Sequence, residues 1–313
     1  MRSTLKILIV GFGDVGKRVA KRLRNRYAVS ALVRSADQAR TARGMGVAPV
    51  RGDLRQPRSL HKITGTADVI FHFAPPPGKG RHDTHTRHLL AALARPLRGR
   101  PPHTEIHLPA TTPSCQLPQR LVYISTTGVY GDCGGAWIDE TRPLKPETAR
   151  ARRRVDAERA LVAWGRRFGV IISILRAPGI YADDRLPLER LRRGTPAMVA
   201  EDDVFTNHIH ADDLARAAIA AMRRGKAGRV YNVVDDSALS MADYFDRVAD
   251  AFALPRPPRV SRADAAKILS PALVSFMSES RRIGNKRLKR ELRFRLQYSS
   301  VDEFLRINSP GSQ

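Results

Sequence analysis

Leu5-Lys6-Ile7-Leu8-Ile9-Val10-Gly11-Phe12-Gly13-Asp14-Val15-Gly16-Lys17-Arg18-Val19-Ala20-Lys21-Arg22-Leu23 reads as strand, glycine turn and helix. The apolar run stops at the first glycine, and the residues after Gly16 continue with helical spacing. In that context Gly11-x-Gly13-x-x-Gly16 is a dinucleotide fingerprint. Gly11 makes the tight turn, Gly13 lets the backbone approach a pyrophosphate, and Gly16 allows the helix to pack closely on the strand. The phosphates would lie on the helix N-terminus, where unpaired N–H groups and the dipole favour negative charge, so Phe12, Asp14 and Val15 belong to the same candidate site.

The 313 residues, 42% of them hydrophobic, suffice for a large core and about two domains. No stretch approaches the ~18 consecutive apolar residues of a membrane span, and the N-terminus runs into a strand without the zones of a signal peptide. Only Cys115 and Cys133 occur, which suits a reducing cytosol and offers too few thiols for a cysteine-built metal site. A cytoplasmic protein that needs neither membrane nor metal is expected.

Net charge is +25, and 45 of the 55 basic residues are Arg. Such a balance attracts polyanions. Yet the basic residues spread along the whole chain, with short clusters at Arg150–Arg154 and Arg281–Arg295, and aromatic residues are only 6%. No basic and aromatic alternation suggests base stacking. Arg on solvated faces is expected rather than a specific nucleic-acid site.

Further apolar runs, at Ala28–Val33, Val47–Val50, Val69–Ala74, Arg120–Ser125 and Val170–Leu175, alternate with helical segments at 17–26, 35–44, 84–95 and 147–168. That alternation predicts an α/β fold with a Rossmann-type doubly wound parallel sheet over 1–175. After Arg176 the pattern is less regular, with helices at 211–224 and 241–253, and reads as a smaller, partly interleaved substrate or lid domain over 176–313. Residues 96–118 hold six prolines and read as an inserted surface loop. His82, His85 and His88 recur every three residues, which suits solvated histidines on one helical face better than a metal site lacking further ligands.

Seven motifs stand in order: GFGDVG, Gly52-Asp53-Leu54, Phe71-His72-Phe73-Ala74, Ser125-Thr126-Thr127-Gly128-Val129-Tyr130-Gly131, Leu175-Arg176-Ala177-Pro178-Gly179-Ile180-Tyr181, His208-Ile209-His210-Ala211-Asp212-Asp213 and Tyr231-Asn232-Val233. Together they resemble the extended short-chain dehydrogenases/reductases of the NAD-dependent epimerase/dehydratase group, over nearly the whole chain. The resemblance implies that Asp53, with Leu54, contacts the adenine; that Phe73, Ala74 and Pro75 turn beside the adenosine ribose; and that Pro178, Gly179 and Ile180 pack near the nicotinamide. It matches Thr126 to the group that hydrogen-bonds the substrate oxygen, although a strand-end hydroxyl capping local backbone explains Thr126 equally well. In NAD-specific members an acidic residue ends the second strand. Here Arg34-Ser35 stands there, which implies NADP, with NAD as the alternative.

The chain departs from the family at its catalytic pair, since no Tyr-x-x-x-Lys occurs anywhere. Anchored on Glu158, Arg150 takes the tyrosine position and Arg154 the lysine position, from which Arg154 can still bind ribose or phosphate. Arg150 cannot cycle as acid and base. The pattern is that of atypical members. Tyr130 and Tyr181 border the expected pocket as substitute catalytic groups, with Cys133, Asp132, Asp139 and Glu140 on the following loop. The dehydratases' Asp-Glu after the Thr is replaced by Thr127-Gly128, which opposes sugar dehydration by that route. Two classes remain open: an oxidoreductase or epimerase acting on a small carbonyl or nucleotide-sugar-like substrate, and a non-catalytic NADP-binding redox sensor or scaffold. Homodimerisation through sheet-flanking helices is implied by the family but opposed by Arg150, Arg152, Arg153 and Arg154 on the helix at 147–168.

Overall fold

The first strand, β1 (Lys6–Val10), is buried from Ile7 to Val10. It lies between two parallel neighbours, β2 (Ala28–Val33) and β4 (Val69–His72), with Ile7 opposite both Val29 and Val69. A strand covered on both faces has no solvent side, which is why the run is unbroken. The structure, a computed structural model, describes residues 5–95 and 117–309. All but the last two residues of the Pro-rich segment lie outside those described.

Seven parallel strands form the central sheet, in the order Arg229–Asn232, β7 (Ile171–Ala177), β5 (Arg120–Thr126), β4, β1, β2 and β3 (Ala48–Arg51). The chain winds outward from β1 through β2 to β3, then returns to β4 on the other side of β1. The order therefore reverses at β1 and β4. In doubly wound sheets ligands bind in the crevice beyond the carboxyl ends of the strands at such a switch point.

Helix α1 (Asp14–Leu23) starts three residues before the 17–26 reading, because Gly13 is its N-cap and Asp14 favours the positive helix end while pairing with Arg18 at 2.9 Å. Its buried residues, Gly16, Val19, Ala20 and Leu23, follow the i, i+3, i+4, i+7 stripe. Helices α2 (Ala36–Gly44), α3 (Thr84–Leu93) and α4 (Ala149–Phe168) follow. No helix among the described residues is long and apolar enough to cross a membrane.

The chain divides into two compact units, one of residues 1–125, 152–174 and 218–229, the other of 126–151, 175–217 and 230–313. The second unit has its own core, in which Tyr181, Tyr244, Phe245, Val248, Phe304 and Leu305 pack together. Short parallel pairs frame it: β8 (Gly179–Tyr181) with His208–His210, and β6 (Trp137–Ile138) with Arg282–Ile283.

Arginine is not confined to solvated faces. Arg153 and Arg176 are buried, and Arg153 donates to the Gly80 carbonyl at 2.8 Å. Of the four arginines expected to crowd the α4 surface, one is thus an interior group holding the chain ahead of α3.

Candidate functional site

The glycine turn after β1 is dictated by the end of β4. Phe73 N–H and Ala74 N–H both donate to the Val10 carbonyl, at 2.7 and 3.0 Å, and this brings the β4 exit onto Gly11. A Cβ on Gly11 would stand 2.4 Å from Ala74 N, and its φ of +103° is one that other residues rarely adopt. At Gly16 a Cβ would stand 2.5 Å from the Gly11 carbonyl oxygen. Gly13 differs: a Cβ there meets nothing within 4 Å. It faces open space, and no side chain caps the helix it begins. The first-turn N–H groups of Asp14, Val15 and Gly16 thus start a helix whose cap leaves room for an anion, the arrangement a pyrophosphate requires.

Beyond this turn lies a cavity of about 260 Å³ lined by Val10, Gly11, Phe12, Gly13, Ala74 and Pro75, and on the side of β2 and β3 by Leu32, Arg34, Gln38, Gly52, Asp53 and Leu54; His85 completes it. Arg34, Asp53, Leu54, Ala74 and Pro75, far apart in sequence, thus share one cavity with the glycine turn. Ser35 is the α2 N-cap and accepts from Gln38 N–H at 3.2 Å, while Gln38 Oε1 accepts from Arg34 N–H at 2.8 Å. The signal for Gln38 was present: Ser35-Ala36-Asp37-Gln38 is a capping box whose return bond goes to the residue before the cap. Asp53 is taken by Arg55, whose Nη2 lies 2.6 Å from Oδ2. That guanidinium holds the Asp53 carboxyl below its usual range, with Arg34 adding to the same effect. Three charges then stand at this end of the cavity, two positive and one negative.

Helix α3 carries the rest of the wall, and its first turn is locked from beneath. Asp83 caps it, accepting from Thr86 N–H at 3.0 Å and from the Thr86 hydroxyl at 2.9 Å. With its proton given to Asp83, Thr86 Oγ1 accepts from His72 Nε2 at 2.9 Å. His72 is fully buried, and burial pushes it down to about 3, so it stays neutral. The three evenly spaced histidines meet three different partners rather than one another. His82 precedes the helix and pairs with Asp156 at 3.1 Å; His85 Nδ1 meets the Pro75 carbonyl at 3.0 Å; His88 Nδ1 meets the Leu54 carbonyl at 2.7 Å. Two of them therefore tether the loops after β4 and β3, both of which line the cavity.

At the α4 register set by Glu158, Arg150 is exposed in the first turn and Arg154 is half-buried. Arg154 Nη1 donates to the Tyr123 hydroxyl at 2.8 Å and to the Ile124 carbonyl at 2.9 Å, which fixes the guanidinium at the end of β5.

The remaining candidates lie in the second unit. Thr126 Oγ1 accepts from Gly128 N–H at 3.3 Å, capping the turn Thr127–Tyr130. Pro178 precedes β8, whose Gly179 and Ile180 stand opposite His208 and Ile209. Asp139 caps its own loop at Thr141, and Asp132 accepts from Ser280 N–H at 2.7 Å. Glu140 accepts from Asn232 N–H at 2.8 Å and lies 3.5 Å from Arg287, with burial pushing its carboxyl up. Cys133 is half-buried beside the Gly131 carbonyl.

Neither tyrosine is poised as an acid. Tyr130 donates its one proton to Asn232 Oδ1 at 2.7 Å and accepts from Arg176 Nη1 at 2.9 Å, with the guanidinium 4.8 Å from the ring centre. Burial raises its pKa further. Tyr181 is 1% exposed, edge-on to Phe304 and His210. Burial, reinforced by the Asp235 charge, pushes its hydroxyl far above the usual range. Tyr130→Phe should cost about 1–3 kcal/mol in chemical denaturation, because it removes the donor to the buried Asn232 Oδ1 and one acceptor of the Arg176 guanidinium, and should leave nucleotide affinity unchanged. A stability equal to wild type would show that the network carries no weight.

Comparison with known proteins bears on the family and the fold. A family model described as NAD dependent epimerase/dehydratase matches residues 7–234. Human dTDP-D-glucose 4,6-dehydratase is 23% identical over 123 residues, 37% of this chain and 35% of that protein, so the match spans about a third of that relative's length. A Stigmatella aurantiaca 4-hydroxy-2-methyl-3-oxo-4-farnesyl-3,4-dihydroquinoline-1-oxide ketoreductase is 26% identical over 245 residues, covering 75% of this chain and 69% of that protein. A functionally unknown conserved protein from Silicibacter pomeroyi DSS superposes with a TM-score of 0.77 at 27% identity, over 99% of this chain and 100% of its own. Glycine turn, doubly wound sheet and a family match over most of the chain converge: this chain belongs to the NAD dependent epimerase/dehydratase family.

Proposed function

We propose that the chain is an NADP(H)-preferring oxidoreductase of this family, acting on a small carbonyl or nucleotide-sugar-like substrate without the usual tyrosine–lysine pair. The observation that carries the preference is Arg34 in the cavity wall, beside an Asp53 already neutralised by Arg55. An arginine at the end of β2 suits the 2′-phosphate of NADP, and the one carboxylate nearby is masked. The glycine turn and the first-turn N–H groups of α1 would hold the pyrophosphate, Ala74 and Pro75 the adenosine ribose, and Arg154 the nicotinamide ribose. When bound, the nicotinamide supplies hydride transfer; the chain supplies binding, orientation and proton handling. Residues 176–313 would contribute the substrate side. Ketone reduction suits this site better than sugar dehydration, because Thr127 and Gly128 replace the dehydratases' acid and base.

Calorimetric titration should show NADP(H) binding at least tenfold tighter than NAD(H), a difference of about 1.4 kcal/mol. Arg34→Asp should narrow or reverse that ratio. Equal wild-type affinities would overturn the preference. A second reading, a cofactor-binding sensor without turnover, draws on the committed hydroxyl of Tyr130 and the interior position of Tyr181. Tight NADPH binding with no oxidation across a broad carbonyl panel would favour it.

A further inference from the structure

We infer that His85 is a ligand of the dinucleotide, its Nε2 accepting a hydrogen bond from a ribose hydroxyl. The inference rests on the reading above that the cavity holds NADP(H), and adds to it a side chain that no sequence motif marked. His85 lines that cavity together with Ala74, Pro75 and the glycine turn. It is half-buried, on the first turn of a helix whose start is pinned by the buried Asp83, Thr86 and His72.

The ring's orientation follows from its partner. A backbone carbonyl can only accept, so Nδ1, 3.0 Å from the Pro75 carbonyl oxygen, carries a proton and donates it. In the neutral ring Nε2 is then a lone pair. One nitrogen is used to hold the ring against the β4 exit, and the other is an acceptor on a side chain in the cavity wall. Among the other polar side chains of the wall, Arg34 only donates, Asp53 is committed to Arg55, and Gln38 Oε1 is committed to Arg34 N–H. A dinucleotide presents ribose hydroxyls as donors, and His85 Nε2 answers that need. His88 makes the analogous Nδ1 bond to the Leu54 carbonyl, but His88 does not line the cavity. His88 nevertheless tethers a cavity-lining loop, so the control is His82, which precedes the helix, pairs with Asp156 and does not line the cavity.

The test is calorimetric titration of wild type, His85→Ala, His85→Gln and His82→Gln with NADPH and with adenosine 2′,5′-bisphosphate, each variant first shown to melt cooperatively. His85→Ala should weaken NADPH about tenfold. His85→Gln, whose amide oxygen can accept, should recover most of that loss, and His82→Gln should stay within about threefold of wild type. If the bisphosphate suffers the same loss, the hydroxyl belongs to the adenosine ribose; if only NADPH does, it belongs to the nicotinamide ribose. Either result supports the assignment. NADPH affinity unchanged in His85→Ala overturns it while leaving the proposed function intact. Wild type that binds neither NADPH nor NADH overturns both.

Discussion

NADPH oxidation over a panel of carbonyl substrates should rise by ~10²- to 10⁴-fold when Arg150→Tyr and Arg154→Lys are combined, that being the usual worth of general acid–base assistance. The two positions are one turn apart on α4 and so share a face. A tyrosine at 150 would bring a proton that Arg150, protonated at any useful pH, cannot exchange. A lysine at 154 would lower that tyrosine's pKa, while giving up one or both bonds that Arg154 makes to Tyr123 and Ile124. Wild type should bind NADPH yet consume it slowly, since Tyr130 and Tyr181 are withdrawn from exchange. Robust wild-type turnover that persists in Thr126→Val would refute the site and move the chemistry to a different group. Arg154→Lys alone should leave turnover low, which separates restored proton transfer from a simple change in cofactor grip.

Asp235→Asn should stabilise the protein above neutral pH by up to ~4 kcal/mol relative to wild type, and by far less near pH 4. Asp235 is 2% exposed. Burial pushes its carboxyl up to about 7, opposed by the Ser237 N–H bond to Oδ1 and assisted by the charge of Asp236. The buried hydroxyls of Tyr181 and Tyr244 both feel its charge, and the Tyr181 hydroxyl also opposes the upward shift. The folded-state value is raised, so between about pH 4 and 7 the native protein holds a proton the unfolded chain has released, and stability falls as pH rises through that window. At ~1.4 kcal/mol per unit the full shift gives the upper figure. His72 and His208, both pushed down to about 3 by burial, tilt the wild-type curve the other way below about pH 6.5. The difference between variant and wild type isolates Asp235. Urea denaturation of both from pH 5 to 8 measures it, and parallel curves would mean that Asp235 is solvated in solution.

The fold was legible wherever one element's pattern reports its own surroundings. Ile7 to Val10 could be read as an interior parallel strand because burial on both faces leaves no alternation, and Gly11, Gly13 and Gly16 carry backbone demands that few other residues meet. What a sequence hides is which remote loop passes beneath a side chain. Arg153 looks like its three neighbours in the string, yet it points inward to the Gly80 carbonyl. Tyr130 and Tyr181 sit in motifs that border the expected site, but their partners, Asn232 and Arg176 for one, Phe304 and His210 for the other, come from distant segments and turn both rings into interior structure. Three histidines spaced by three look equivalent in the sequence, yet the loops after β4 and β3 hold His85 and His88 while Asp156 of α4 takes His82.

The interleaving of the two units limits how such a protein can be modified by exchange of parts. Each unit is assembled from three separate stretches, and α4 begins in one and continues into the other. No single crossover in the gene can therefore swap the second unit for a relative's, and neither unit can be expressed as one contiguous fragment. Diversification is confined to point changes and loop insertions within a shared frame. Replacing the second unit would mean changing the 126–151, 175–217 and 230–313 stretches together, with the helix that continues from the first of them into the other unit left unbroken.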